Sequence, residues 1–261
     1  HKNNRKGIKT LALYAIMKCI LLAGGYAKRL WPLTKKVPKP LLDLNGKPII
    51  DIILDKIKHV PEIDGVVVST NTAFEARFKD WIKKNHHSIG KGMRLVIEPT
   101  AEEAGKFGTI AGLKYVISEE DINDDCIILA GDNLFDFDLK DFIQFYKEKN
   151  GPVVAVFDIK DRHKTQLYGV VSVDKTRRIT DFIEKPKEPP STLVSTACYI
   201  FPRETLQLFS KYVEEGGRKD SPGFFVAWLS KKMPVYAFTF SGHWFDIGDF
   251  ESLEKAREFM K

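Results

Sequence analysis

The sequence predicts an α/β fold in which an open sheet is covered by helices on both faces. Two observations carry this. Short apolar, β-branched runs alternate with amphipathic helical patterns through the first half of the 261 residues. Those runs are apolar throughout, which is the pattern of strands buried on both sides of a parallel sheet. The second half is richer in strands, so the whole reads as one open mixed sheet.

The elements follow in order. Lys18–Ala23 is an apolar strand that ends in Gly24-Gly25. Pro48–Val60 carries Ile49, Ile50, Ile53, Ile57 and Val60 on one helical face. Gly65–Thr70 holds Val66-Val67-Val68 and reads as a buried strand, followed by an amphipathic helix over Ala73–Asn85. A strand at Arg94–Glu98, a helix at Thr109–Glu119 and a strand at Cys126–Ala130 come next. Leu139–Lys149 is a helix, with Asp138 placed to accept from its first free N–H groups. Strands at Pro152–Ile159, Tyr168–Asp174, Arg178–Ile183 and Thr196–Phe201 follow. Helices near Arg203–Glu215 and Gly223–Lys232, a strand at Val235–Phe240 and a helix at Phe250–Met260 finish the chain. No repeat or low-complexity linker divides it, so 17–261 is expected to be one domain. Its first half, 17–150, should bind a nucleotide and its second, 151–261, another ligand. Residues 1–16 read as an N-terminal extension before Met17.

The net charge is +6, but residues 1–16 hold Lys2, Arg5, Lys6 and Lys9 and no acid, which leaves +2 on the rest. A nearly neutral body gives no electrostatic case for nucleic-acid binding. No apolar run reaches the roughly 18 residues that cross a bilayer. Cys19, Cys126 and Cys198 are scattered and odd in number. They read as buried thiols of a reduced, cytoplasmic protein rather than as a disulfide or zinc set. His86-His87 lacks zinc spacing and is given no metal role.

The chemistry is concentrated in a few segments. Leu22-Ala23-Gly24-Gly25 runs from a strand into two glycines and then Lys28 and Arg29. Glycine lets backbone N–H groups approach a phosphate, and a guanidinium can grip its oxygens. Neither the dinucleotide fingerprint nor the Walker A spacing is present. Lys39 stands between Pro38 and Pro40, on a stiff loop ten residues beyond Arg29. Asp132 follows directly on a strand of the sheet, where ligands of open α/β sheets gather.

These segments resemble the sugar-1-phosphate nucleotidyltransferases, and within them the glucose-1-phosphate thymidylyltransferases. The likeness runs from about Lys18 onward. L-A-G-G-x-x-x-R-L-x-P-L-T and K-P-L-L stand at Leu22–Thr34 and Lys39–Leu42. Gly108–Leu113 is similar to the nucleoside-binding G-T-A-x-A-L, and Gly131–Phe135 reads G-D-N-x-F. Tyr168–Val171 with Ile183-Glu184-Lys185-Pro186 matches the sugar-phosphate half, and Trp244–Gly248 reads W-x-D-I-G.

The resemblance implies a Rossmann-like, GT-A-like nucleotidyltransferase fold. It implies condensation of a nucleoside triphosphate with a sugar 1-phosphate, with loss of pyrophosphate. Arg29, Lys39 and Lys185 would be the catalytic cations. Leu22, Ala23, Gly24, Gly25, Glu98, Gly108 and Asp132 would bind the nucleotide. Gly169, Glu184, Lys185 and Thr196 would bind the sugar phosphate. Asp132 and Asp246 would hold Mg²⁺, which takes few protein carboxylates and completes its shell with phosphate and water. G-D-N-x-F favours dTTP or UTP, and glucose 1-phosphate is the modal acceptor. Mannose-1-phosphate guanylyl transfer is the alternative, since the Glu98 carboxylate could accept N–H groups of either base class. The partners are then small molecules, without membrane or nucleic acid, and family resemblance allows a homo-oligomer.

The match has departures. Ala27 and Ala197 stand where the family has glycine, Lys28 replaces threonine and is expected to point to water, and Asp249 replaces a small hydroxyl residue. The thymidylyltransferase G-E-L-E-I-T-D segment is not present, and the C-terminal β-helix of some relatives is not expected. Two rivals remain. A metal-dependent glycosyltransferase would use Asp136-Phe137-Asp138 as D-x-D, although those residues more simply cap the next helix. A noncatalytic regulatory or binding subunit should have lost its charged residues, and Arg29, Lys39, Asp132, Lys185 and Asp246 are all present.

Overall fold

The computed structural model describes residues 16–85, 90–100 and 107–260. Most of the N-terminal extension and the His86-His87 pair lie outside them. The first half runs β1 (Met17–Leu22), a small hairpin β2 (Asp43–Leu44) and β3 (Lys47–Pro48), α1 (Ile49–Lys58), β4 (Ile63–Asn71), α2 (Glu75–Asn85) and β5 (Gly92–Glu98). It continues with α3 (Thr109–Glu119), β6 (Asp125–Ala130), β7 (Asn133–Phe135) and α4 (Leu139–Lys149). The second half runs β8 (Val153–Asp158), α5 (Arg162–Thr165), β9 (Gly169–Val173), β10 (Ile179–Glu184), β11 (Leu193–Phe201), α6 (Arg203–Glu214), α7 (Pro222–Ser230), β12 (Tyr236–Phe240), β13 (Trp244–Asp246) and α8 (Phe250–Phe259).

β1 lies between β4 and β6 and is parallel to both, and β5 extends the parallel part beyond β4. The chain therefore moves outward from β1 to β5, then crosses back to β6. Strand order reverses at β1/β6, where Leu22 pairs with Ala130 and both strands end level. An open sheet has its crevice at such a reversal. Beyond β6 the sheet turns antiparallel. β11 pairs with β6 through Cys198–Phe201 and with β8 through Leu193–Ser195 and again at Tyr199 and Ile200, with a break in register between Ser195 and Tyr199. β12 lies parallel to β8, and β9 and β10 form the far edge.

Side-chain alternation along β1 and β6 makes two cores. Cys19, Leu21, Ile127 and Leu129 pack with α1, α2, α4 and α8 on one face. Ile20, Cys126 and Ile128 pack with α3, α6 and α7 on the other. This is the two-faced cover that the apolar strands predict. All three cysteines are buried and unbridged, and burial pushes the Cys198 thiol up to about 12.

Helix starts follow local chemistry. Asp138 accepts from Lys140 N at 2.8 Å, as predicted. Asp249 forms a capping box with Ser252 at the start of α8. A carboxylate at that position is therefore a helix cap. Among the described residues no helix is long and apolar enough to cross a membrane.

Candidate active site

The crevice at the ends of β1 and β6 is lined by Leu22, Ala23, Gly24, Gly25, Ser69, Glu98, Gly108, Thr109, Ala130, Asp132, Ala197, Asp220 and Pro222. It encloses about 250 Å³. All seven residues expected at the nucleotide face its walls. A roomier groove of about 580 Å³ between α3 and α6 contains none of the motif residues.

The glycine loop is tied to β4. Thr70 Oγ1 donates to the Ala23 carbonyl at 3.2 Å, and Asn71 Nδ2 donates to the Gly24 carbonyl at 2.8 Å. Ala27 then adopts the left-handed region, φ 47° and ψ 49°. That conformation costs alanine on the order of 1–2 kcal/mol. Ala27 thus takes a conformation that glycine adopts without strain. Its carbonyl is held by Leu30 N at 2.9 Å and Thr34 Oγ1 at 2.8 Å. Lys28 is exposed but lies over the Trp31 ring, 5.8 Å from its centroid.

Asp132 and Asp246 come together through Asn133. The Asn133 amide donates to Asp132 Oδ1 at 2.9 Å and to Asp246 Oδ1 at 3.4 Å. Its own oxygen accepts from Trp244 Nε1 at 2.8 Å. The antiparallel ribbon of β7 and β13 sets this register, with Asp246 opposite Asn133. Lys39, nearly buried, ion-pairs with Asp132. Burial and the charge of Asp132 both push the Asp246 carboxyl above its usual range. Arg29 reaches the same segment: its guanidinium lies against Gly248 and 3.9 Å from Asp249.

Glu98 sits at the end of β5. Ser69 Oγ donates to Glu98 Oε1 at 2.9 Å. A Cβ added at Gly112 would stand 2.8 Å from the same oxygen, so α3 passes directly under the carboxylate. Gly108 has φ +78°, and a Cβ there would lie 2.5 Å from the Lys219 carbonyl oxygen. That carbonyl accepts from Ile110 N at 3.0 Å and joins the start of α3 to the loop before α7. Gly108→Ala is therefore expected to cost about 1–3 kcal/mol, because it combines a disfavoured φ with a backbone clash. Chemical denaturation would show it as a lowered midpoint at an unchanged slope.

The sugar-phosphate segment of the second half, with Gly169, Glu184 and Lys185, stands outside the lining of this crevice. Glu184, at the end of β10, is packed between Gly169 of β9 and Gly223 of α7. Burial raises its pKa, and a hydrogen bond from Ser221 opposes the rise. Lys185 takes φ 50°, donates its N–H to the Tyr168 carbonyl at 2.9 Å, and keeps its side chain exposed. Thr196 departs from expectation. It is fully buried, its hydroxyl donates to the Ala155 carbonyl at 3.0 Å, and it does not line the crevice. Its neighbour Ala197 does, with φ 56° within the register break of β11.

The D-x-D segment is otherwise engaged. Asp138 caps α4, and Asp136 accepts from His243 N at 2.8 Å. Among the described residues no cluster of three metal-ligating side chains occurs. Asn133, Trp244, Ser69, Gly112 and Asp220 are site residues that sequence reasoning did not single out. Asn133, Trp244 and Gly112 were within reach, since they lie inside the G-D-N-x-F, W-x-D-I-G and G-T-A-x-A-L-like matches.

The sequence profile of the Nucleotidyl transferase family matches residues 18–261. A glucose-1-phosphate adenylyltransferase of Clostridium acetobutylicum is 30% identical over 259 residues. The match takes in 91% of this chain and spans 65% of that relative's length. A solved structure assigned as a glucose-1-phosphate thymidylyltransferase of Bacillus anthracis, in complex with sucrose, superposes with a TM-score of 0.80 at 24% identity. It covers 93% of this chain and 94% of its own. A UDP-glucose pyrophosphorylase complexed with UDP-glucose gives 0.78 at 20% identity, covering 94% and 98%. At those identities the two structures establish a shared fold, and the profile match establishes kinship: the chain belongs to the nucleotidyl transferase family.

Proposed function

We propose that this protein transfers a nucleotidyl group from a nucleoside triphosphate to a sugar 1-phosphate. The observation that carries the reading is the meeting of Asp132 and Asp246, from distant segments, beside Lys39 at the strand-order reversal. A phosphate oxygen of the sugar phosphate attacks the α-phosphorus. The bond from that phosphorus to the bridging oxygen breaks, and pyrophosphate leaves with the electron pair. A sugar phosphate dianion needs no side-chain base for this. The protein's work is to hold two mutually repelling anions in line and to balance their charge.

The donor set suits Mg²⁺. Two carboxylates share one amide donor, and a single lysine pairs with one of them, Asp132. That leaves a net negative pair where a triphosphate is to bind, which calls for a further hard cation. Asp132 and Asp246 would hold it, and when bound it supplies charge neutralisation at the phosphates. Arg29 and Lys39 serve the triphosphate side. Lys185 serves the acceptor phosphate, and Glu184 accepts from sugar hydroxyls. Glucose 1-phosphate is the first acceptor to test, with dTTP and UTP the donors that G-D-N-x-F favours.

Pyrophosphate release over a grid of nucleoside triphosphates and sugar 1-phosphates, with Mg²⁺, tests the reading. Release that needs both substrates supports it. No release anywhere from folded protein would instead favour a noncatalytic subunit. Lys185→Ala should raise KM for the sugar phosphate by about 10–100-fold, the worth of one charged hydrogen bond. KM for the nucleotide should stay within a few-fold, and equal changes on both sides would break the assignment of the two halves.

A further inference from the structure

We propose that Ser221 is a positioning residue for the acceptor side: its hydroxyl holds the Glu184 carboxylate in the direction from which it meets the sugar. The inference rests on the nucleotidyl-transfer reading and adds to it a residue of the loop before α7, where the chain departs from the thymidylyltransferase pattern. Glu184 ends β10, and its carboxylate stands against the first turn of α7. A Cβ added at Gly223 would overlap Glu184 Oε2, and one at Gly169 would lie 2.9 Å from the same oxygen. Two glycines therefore leave a slot that the carboxylate fills.

Ser221 caps α7, its side-chain oxygen accepting from Gly223 N at 3.3 Å. A hydroxyl carries a single proton and two lone pairs. The cap bond uses a lone pair, so the proton is left for an acceptor, and the Ser221 hydroxyl donates it to the Glu184 side chain. The remaining lone pairs of the carboxylate are then open to sugar hydroxyls. The loop itself is fixed from the nucleotide side. The Lys219 carbonyl accepts from Ile110 N at 3.0 Å, and the Asp220 carbonyl accepts from Thr109 Oγ1 at 3.4 Å. Ser221 is thus anchored to the start of α3, so it sets the direction of Glu184 and does not merely follow it.

The charged and titratable groups that face Glu184 are Lys185 next to it in sequence, Asp220 and Arg218 in the loop, and Tyr199 on β11. Lys185 and Arg218 favour the ionised carboxylate, and Asp220 opposes it. Burial raises the Glu184 pKa and the Ser221 bond opposes the rise, so loss of that bond moves the titration further up. The test compares Ser221→Ala, Ser221→Thr and Ser221→Asp in the full chain, with melting curves to show that each is folded. Threonine keeps the cap oxygen and the proton. Aspartate caps as well as serine but has no proton to give, and it sets a second charge beside Glu184. The Glu184 carboxyl is followed by carbon-13 NMR titration without substrates, its signal identified by its loss in Glu184→Gln. It should titrate at higher pH in Ser221→Ala, higher still in Ser221→Asp, and as in wild type in Ser221→Thr.

In turnover with glucose 1-phosphate, Mg²⁺ and the best nucleoside triphosphate, Ser221→Ala should raise KM for the sugar phosphate about ten-fold, the worth of one hydrogen bond to a charged group. KM for the nucleotide should stay within a few-fold. The rise should be larger at lower pH, where more of the Glu184 carboxyl is protonated, and Ser221→Thr should restore the wild-type value. Ser221→Asp should be at least as impaired as Ser221→Ala. A serine that only caps α7 would be replaced by aspartate with no change in KM or in the Glu184 titration, and that result overturns the inference. So does a titration that Ser221→Ala leaves in place. Absence of turnover with every donor would strike the nucleotidyl-transfer reading instead, and the titration of the unliganded protein would still decide whether Ser221 holds Glu184.

Discussion

Asp246→Asn is expected to lower kcat by on the order of 10²–10³-fold, the scale of losing one preorganised charge contact at a transition state, while the apo protein becomes more stable. Both effects come from the same geometry. The folded site holds Asp246 in partial burial beside the Asp132 charge, and both raise its pKa. A carboxyl whose pKa is raised on folding contributes stability only while it is protonated. That contribution is complete below the unfolded pKa and is lost as pH rises through the folded one. At neutral pH the ionised group therefore works against folding, and the neutral isostere removes the penalty. The melting temperature of Asp246→Asn should exceed wild type near pH 7, and the gap should close on acidification. Mg²⁺ should stabilise wild type more than the variant. Asp132→Asn should lose turnover on the same scale. A variant at either position with wild-type kcat would remove the carboxylate pair from the chemistry.

Much of this site was legible before any coordinates. β1, β4 and β6 announce themselves as apolar runs, and the C-terminal ends of β1 and β6 lead into Gly24-Gly25 and Gly131-Asp132. A parallel sheet with an order reversal brings those ends to one crevice, so Asp132 and the glycine loop were readable as neighbours. The β7–β13 ribbon was not. Its strands are three residues each, too short to show any period. Their pairing is nonetheless what sets Asp246 opposite Asn133. Thr196 failed for a related reason. Side chains alternate along a strand, and a register break reverses which residues face a given side. The break in β11 and the left-handed Ala197 turn Ala197 to the crevice and Thr196 to the Ala155 carbonyl. No composition signal marks such a break when the residue in it is alanine. Ala27 shows the same limit from the other side. Alanine disfavours the left-handed region, yet Ala27 adopts it, with two hydrogen bonds to its carbonyl.

Lys39→Met should reduce kcat/KM for the nucleotide by about 10²-fold or more, and it should leave Mg²⁺ binding to the apo protein tighter, not weaker. Lys39 is the one Lys, Arg, Asp or Glu that is buried among the described residues, and its ion pair with Asp132 is what makes that burial tolerable. Breaking such a pair costs about 3–5 kcal/mol when both charges are deeply buried. Here Asp132 keeps a quarter of its side-chain exposure, so solvent screening reduces the cost. The lysine also competes with any divalent ion for the Asp132 oxygens. Once it is removed, the two carboxylates present a more negative site, and less Mg²⁺ is needed for half-maximal thermal stabilisation. The triphosphate, however, loses a cation that the turn at Lys39–Leu41, framed by Pro38 and Pro40, holds in place. Weaker nucleotide use together with tighter metal binding is therefore the signature of a lysine that serves the phosphates. A lysine that merely shores up Asp132 would weaken both together, and that result would take Lys39 out of the catalytic set.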